Sequence, residues 1–305
     1  MEPFRVHILG CGSALPTTRH FSSMQVVDCR GKLFMIDCGE GAQLQLRRSS
    51  LSFERLGHVF ISHLHGDHCF GLIGMISTFG QLGRNAPLHI HAPHELEPML
   101  KAQLNMFFNY DIGYAVEFHP VDTTRQQVIY EDRSLTVESI PLDHRMPCAG
   151  FLFREKPTLP HIRRDMIDLY GIPTSQIMNI KGGQGFTLPD GTTVPHEQLV
   201  TAPDKPRSYA YCSDTKYMPR LHERLKGVDT LYHESTYADD KLQSAENYYH
   251  STARQAATVA RDAQVGKLLL GHYSARYADE HILLNEAQEV FQNSFLTNEM
   301  DVFDV

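Results

Sequence analysis

The sequence predicts a layered α/β protein in which sheets are covered by helices. Short apolar runs bounded by turn residues alternate along the chain with segments whose apolar residues recur at helical spacing. Several of those runs end in polar loops rich in metal-ligand side chains, as happens where a rigid sheet carries a site on its loops.

Taken in order, residues 4–9, 24–27 and 32–36 read as strands, and 40–49 as a helix following Asp37-Cys38-Gly39. An apolar run at 58–61 leads into His63-Leu64-His65-Gly66-Asp67-His68. Residues 71–82 are helical by pattern, 88–92 form a strand, and 95–107 form a helix with Leu96, Met99, Leu100, Leu104 and Phe107 on its core face. Strands follow at 116–119, 127–130 and 135–140. In the second half, strands at 209–212, 230–232, 267–270 and 302–305 alternate with helices at 252–263 and 282–295.

Residues 155–207 break this order. They hold seven prolines and the cluster Gly182-Gly183-Gln184-Gly185, with little sustained periodicity. Leu188-Pro189-Asp190-Gly191-Thr192 reads as a turn between short strands, which favours a small structured arm over a disordered linker. We therefore expect one domain over 1–305 with an inserted arm at 155–207.

Composition sets outer bounds. With 305 residues, 42% hydrophobic and 21% charged, the chain is of ordinary globular type. It has no apolar stretch of the roughly 18 residues a membrane span needs, and its first residues lack the basic and apolar regions of a signal peptide. A cytoplasmic protein with no membrane partner is expected. The six cysteines show no CxxC pairing and read as reduced, mostly buried thiols. Cys69, beside His68, is a thiolate-ligand candidate, with a buried small hydrophobe the favoured reading. The net charge of −8 argues at first against nucleic acid, but −6 of it falls from Arg276 onward, leaving −2 for the rest.

The segment 63–68 packs four potential ligands into six residues. In an extended chain His63, His65 and Asp67 share a face, and Gly66 is expected to let the backbone turn and bring His68 round. Imidazole with carboxylate suits zinc, with manganese or iron as alternatives. The remaining ligands are sought where other strands end: His144, Asp214 and His272 each follow an apolar run. Together they complete two coordination spheres, His63, His65 and His144 on one cation and Asp67, His68 and His272 on the other, with Asp214 bridging.

These segments carry a resemblance. Gly39-Glu40-Gly41-Ala42-Gln43, Ser62-His63-Leu64-His65-Gly66-Asp67-His68, Pro141-Leu142-Asp143-His144, Ser213-Asp214-Thr215, His233-Glu234-Ser235-Thr236, His250-Ser251-Thr252 and Gly271-His272-Tyr273 resemble, over nearly the full length, the short-form ribonuclease Z family of the metallo-β-lactamase superfamily. The first histidine motif marks the superfamily, and the His-Glu-Ser-Thr and His-Ser-Thr segments narrow it to the tRNA-processing branch. The resemblance implies a four-layer αβ/βα sandwich, two zinc ions per subunit, no organic cofactor, a homodimer, and an arm that clamps precursor tRNA. It implies an endoribonuclease that removes the 3′ trailer and leaves a 3′-hydroxyl on tRNA and a 5′-phosphate on the trailer.

In that chemistry Asp67 orients and deprotonates the attacking water. His250 protonates the departing 3′ oxygen, and Glu234 holds its imidazole charged and oriented. Arg19 and Arg276, with Arg163 and Arg164 in the arm, are the candidates for substrate phosphates. Two departures stand out: Pro16-Thr17-Thr18-Arg19-His20 has Thr18 and His20 where the family carries a basic residue and an Asn, and the arm lacks the family's Gly-Pro element after Gly171-Ile172-Pro173. Two competing classes are a binuclear phosphodiesterase of the same superfamily acting on small phosphodiesters, and a non-catalytic RNA-binding relative.

Overall fold

The computed structural model describes residues 3–109 and 111–305. Six strands, β1 (Phe4–Gly10), β2 (Met24–Cys29), β3 (Lys32–Ile36), β4 (Leu56–Phe60), β5 (Leu88–Ala92) and β6 (Val116–Pro120), build most of one sheet. The next three, β7 (Gln127–Glu131), β8 (Leu135–Leu142) and β9 (Cys148–Glu155), begin the other. Four two-residue strands lie in the arm segment: β10 (His161–Ile162), β11 (Phe186–Thr187), β12 (Thr193–Val194) and β13 (Val200–Thr201). The rest are β14 (Ser208–Cys212), β15 (Thr230–Glu234), β16 (Lys267–Gly271), β17 (Ser294–Leu296) and β18 (Val302–Asp304). The two large sheets run β18-β1-β2-β3-β4-β5-β6 and β17-β16-β15-β14-β9-β8-β7.

Each large sheet has a helix-covered face. On the first, α1 (Ala42–Arg48), α3 (Leu72–Gln81) and α4 (Leu96–Phe108) follow the short α2 (Gly66–Cys69) or flank it. Leu72, Met75, Ile76 and Phe79 recur at helical spacing and are buried against Met35, Val59 and Ile90. Each such side chain contributes about 1.5–3 kcal/mol of burial. Over the second sheet, the helix Ala253–Asp262 buries Ala253, Ala256, Ala257 and Ala260, small residues that let helix and sheet approach closely. It starts with a complete capping box, Thr252 and Gln255 satisfying each other's backbone N–H groups. The other faces meet through aromatic contacts: Phe34 and Phe60 touch Phe153, and Phe60 touches Phe151. The result is the four-layer αβ/βα sandwich of the metallo-β-lactamase fold.

The arm segment Glu155–Pro206, with Arg133–Leu135, forms its own compact unit. Ile172, Ile180, Val194 and Leu199 make a small core of their own. Two helices, Arg164–Tyr170 and Thr174–Lys181, occupy a stretch in which the sequence showed little periodicity. Each is two turns long, too short for a repeat to stand out.

Other boundaries differ from expectation. The helix expected at 282–295 spans His281–Gln288, and Ser294–Leu296 is a strand beside β16. Val290, Phe291 and Asn293 are poor helix continuers, and Phe295 takes a strand position. Strand β9 carried no alternation because it is buried on both faces between β14 and β8. Gly150 within it lies where a Cβ would stand 2.4 Å from the Tyr211 carbonyl oxygen. All six cysteines are buried and outside any disulfide, and among the described residues no helix is long and apolar enough to cross a membrane.

Candidate metal centre

The ligand-type residues sit where strands of both sheets end. Asp37 follows β3, His63 to His68 follow β4, His144 follows β8, Asp214 follows β14, Glu234 closes β15 and His272 follows β16. β3 and β4 run parallel, as do β14, β15 and β16, so these ends share a rim.

The first histidine loop is not wholly extended as expected. His65 is extended, but Gly66–Cys69 is a helical turn, which carries Asp67 and His68. Gly66 does not turn the chain through a left-handed conformation. A Cβ there would meet the Phe70 ring at 2.2 Å. The turn is held from below, where Cys38 N–H donates to the His68 carbonyl at 2.7 Å and Gly71 N–H to the Cys38 carbonyl at 2.9 Å. At this crossing a Cβ on Gly71 would lie 2.0 Å from the Gly39 carbonyl oxygen. Backbone cannot step aside as a side-chain tip can. Gly71→Ala should therefore cost about 1–3 kcal/mol or more in a denaturant melt and lower metal uptake by displacing Asp67 and His68. A melt and metal content equal to wild type would show that the crossing is softer than this geometry.

The donors converge in two groups. His63 Nε2 lies 3.0 Å from His65 Nδ1, which lies 3.2 Å from His144 Nε2. Asp67 Oδ2 lies 3.2 Å from His68 Nε2 and 3.4 Å from His272 Nε2. Asp214 stands between them: Oδ2 is 3.6 Å from His63 Nε2 and 3.8 Å from His144 Nε2, while Oδ1 is 3.5 Å from His68 Nε2 and 3.1 Å from His272 Nε2.

The other ring nitrogens fix which atoms these rings present. His68 Nδ1 faces Asp37 Oδ2 at 2.7 Å, His144 Nδ1 faces the Tyr249 carbonyl at 2.9 Å, and His272 Nδ1 faces Thr236 Oγ1 at 2.8 Å. The Thr236 hydroxyl donates to Glu234, so it accepts from His272. His63 Nδ1 meets Ser62 Oγ at 3.0 Å, and Ser62 Oγ donates to Asp37 Oδ2 at 2.9 Å. With Nδ1 as donor, each of these four rings turns a lone pair inward at Nε2. Lone pairs at such separations repel unless something positive lies between them. Asp67 Oδ2, His68 Nε2, Asp214 Oδ1 and His272 Nε2 are buried and have no hydrogen-bond partner. The donor set thus fits a metal cofactor.

The carboxylates of Asp37, Asp67 and Asp214 give the centre a demand for positive charge. Burial by itself would lower the His68 pKa, but the carboxylates of Asp67, Asp214 and Asp37 raise it well above its ordinary value. Burial and neighbouring imidazoles depress His63 instead. Burial opposes ionisation of Asp67, yet His68 and His272 hold it far below the usual carboxylate range.

Beside the donors stands a second pair. Glu234, fully buried, accepts at Oε1 from His250 Nδ1 at 2.9 Å, Thr215 N–H at 3.1 Å and Ser251 N–H at 3.0 Å. Its Oε2 accepts from Thr236 N–H at 3.0 Å and the Thr236 hydroxyl at 2.7 Å. Burial would push the Glu234 carboxyl up, but His250 and these bonds draw it down to about 2. Burial would lower His250, but Glu234 raises it to about 9. An open cavity of about 430 Å³ is lined by His65, Asp67, His144, Asp214, His250 and His272, with Arg145, Tyr237 and Tyr248 among its other walls.

The expected phosphate-binding arginines are engaged or belong to the other compact unit. Arg19 donates to the Ala278 carbonyl at 3.1 Å, to Glu280 at 2.6 Å and to the Tyr277 carbonyl, so it clamps the 277–280 loop. His20, at the position of the family's Asn, bonds Glu299 at 3.0 Å. Arg276 lies over the Tyr237 ring at 5.0 Å with Nε on Ser274. Arg163 pairs with Asp165 at 2.6 Å and Arg164 is exposed, both within the arm unit. Cys69 is a thiol raised to about 11 by burial, with Sγ on the His65 carbonyl.

Sequence reasoning passed over Asp37, Thr236 and Arg145. Asp37 closes a strand just as the metal-ligand candidates do, and its φ of 55°, like the 60° of His272, is left-handed. Such a conformation in a non-glycine residue costs on the order of 1–3 kcal/mol and persists where its surroundings over-determine it. Arg145 directly follows His144, which was its only signal.

Fold and centre define a hydrolase-type member of the metallo-β-lactamase superfamily. A family model described as "Beta-lactamase superfamily domain" matches residues 180–273, and one described as "Anti-Pycsar protein Apyc1" matches residues 4–159. The metallo-beta-lactamase fold protein YhfI of Bacillus subtilis shares the fold at a TM-score of 0.69 and 18% identity, over 100% of both chains. So does human tRNase Z, short form, at 0.69 and 23% identity, over 98% of both. A ribonuclease Z of Bacteroides fragilis is 57% identical over 299 residues, 98% of each chain. The chain belongs to the ribonuclease Z family.

Proposed function

We propose that this chain is a zinc-dependent endoribonuclease that cleaves the 3′ trailer from precursor tRNA, leaving a tRNA 3′-hydroxyl and a trailer 5′-phosphate. The observation that carries it is the juxtaposition of inward-facing imidazoles and shared Asp214 with the Glu234–His250 pair in one cavity. Imidazole with carboxylate favours zinc. His63, His65 and His144 would hold one ion, Asp67, His68 and His272 the second, and Asp214 both. Bound there, the ions supply charge to ionise water and to stabilise the phosphoryl oxygens.

The chain's own groups do the rest. Asp67, ionised, orients the attacking water and accepts its proton. Asp37 and Thr236 hold the rings of His68 and His272 with Nε2 inward. His250, kept protonated by Glu234, gives a proton from Nε2 to the departing 3′ oxygen. Arg145, over the Tyr248 ring at 5.1 Å, lines the cavity and is a better candidate for substrate phosphate than Arg19.

We infer that the unit at 155–206 grips the body of tRNA, and that the enzyme works as a cytoplasmic homodimer. Met99 and Phe107, expected in the core, are instead exposed on α4 with Met106, an apolar strip that a second copy would cover. Labelled pre-tRNA, with both product ends mapped, tests the activity. Products other than a 3′-hydroxyl at or near the discriminator base would refute it. Replacing residues 157–205 by a short Gly-Ser link joins strands already paired at Arg154 and Ser208. It should abolish pre-tRNA cleavage while bis(p-nitrophenyl) phosphate is still hydrolysed. Loss of both activities, or of neither, would overturn the division between arm and centre.

A further inference from the structure

Strand alternation gathers a second set of histidines away from the centre described above. On β5, His89 and His91 point to one face. On β6, at the edge of the first sheet, Glu117 lies abreast of His89 and His119 abreast of His91. His58 on β4 lies abreast of His89 in turn. Four imidazoles and a carboxylate therefore share three adjacent strands.

Their geometry is tight. His89 Nδ1 lies 3.0 Å from His119 Nε2 and 3.2 Å from Glu117 Oε2. Hydrogen bonds among these three atoms cannot satisfy them all. A proton on His89 Nδ1 can be donated along only one of the two contacts. A proton on His119 Nε2, donated to His89, leaves Glu117 facing a lone pair. A single cation resolves the conflict. The two donor separations from His89, 3.0 and 3.2 Å, are close to the edge of a coordination tetrahedron, about 3.3 Å for ligand bonds near 2.0 Å, and the third pair, Glu117 and His119, lies within 4.8 Å.

The inner histidines back the outer ones. His91 stacks on His119 with centroids 4.7 Å apart, and His58 stacks on His89 at 4.7 Å. His58 Nδ1 and His91 Nε2 are joined at 3.1 Å. The ligand rings are thus oriented before any ion arrives, as outer partners do in metal sites. Glu117 is half-exposed, which gives an ion a way in.

We propose that His89, Glu117 and His119 form a second, non-catalytic site for one zinc or similar late divalent ion, clasping edge strand β6 to β5. The proposal does not depend on the ribonuclease reading. The test is calorimetric titration of the zinc-replete enzyme with further ZnCl2. One additional equivalent should bind, and His119→Ala and Glu117→Gln should each weaken it by about tenfold or more, as removal of a direct ligand must at least match the loss of an outer partner. Phosphodiesterase activity should be unchanged in both variants. Glu117 is exposed enough that its amide replacement leaves folding intact, so that variant decides the matter if His119→Ala melts early. No further zinc uptake by wild type, uptake undiminished in Glu117→Gln, or an equal response to magnesium would each overturn the site.

Discussion

Asp214→Ala should lower cleavage by roughly 10⁴-fold or more, because residues that act as one unit lose most of the rate when any is removed. Its two oxygens face different histidine groups, Oδ2 toward His63 and His144 and Oδ1 toward His68 and His272. Each group would lose a ligand at once. Metal content should fall in parallel, measured on the purified variant, and the buried imidazoles would then repel without compensation. Asp214→Asn keeps the shape but loses the charge, so it should retain the melt better than the metal. A variant that keeps both its full metal complement and cleavage within tenfold of wild type would show that Asp214 is not shared.

Much of this was legible in the chain because it rests on local patterns. The ligand-rich turn after β4 and the polar residues after β8, β14 and β16 follow from short apolar runs ending in polar loops. What was not legible depends on partners distant in sequence. Asp37 matters because Ser62, His68 and Tyr211 converge on it, and nothing near it in the chain says so. Arg19 looked free for substrate because its partners, Tyr277, Ala278 and Glu280, lie more than 250 residues away. Alternation alone puts His63, His65 and Asp67 on one extended face with a turn at Gly66, whereas the backbone bonds from Cys38 and Gly71 select a helical turn that carries Asp67. The same alternation at β5 and β6 was visible, but only strand register brings His89, Glu117 and His119 together.

His250→Ala should lower pre-tRNA cleavage by about 10²–10⁴-fold, the usual range for losing a positioned general acid. The loss should appear in kcat with tRNA affinity retained. It should nearly vanish on bis(p-nitrophenyl) phosphate, whose nitrophenolate leaves without a proton. The pH profile gives a second reading. His250 is raised to about 9 by Glu234 against the opposing effect of burial, so its acid form is complete well below that value and is lost as pH rises through it. Wild-type kcat should hold on the acid side and fall through about 9. In Glu234→Gln the raising charge is gone while burial still lowers the ring, so the alkaline limb should move toward neutrality. Equal losses on both substrates, or a limb that stays in place in Glu234→Gln, would mean that His250 holds the site's shape and does not donate the proton.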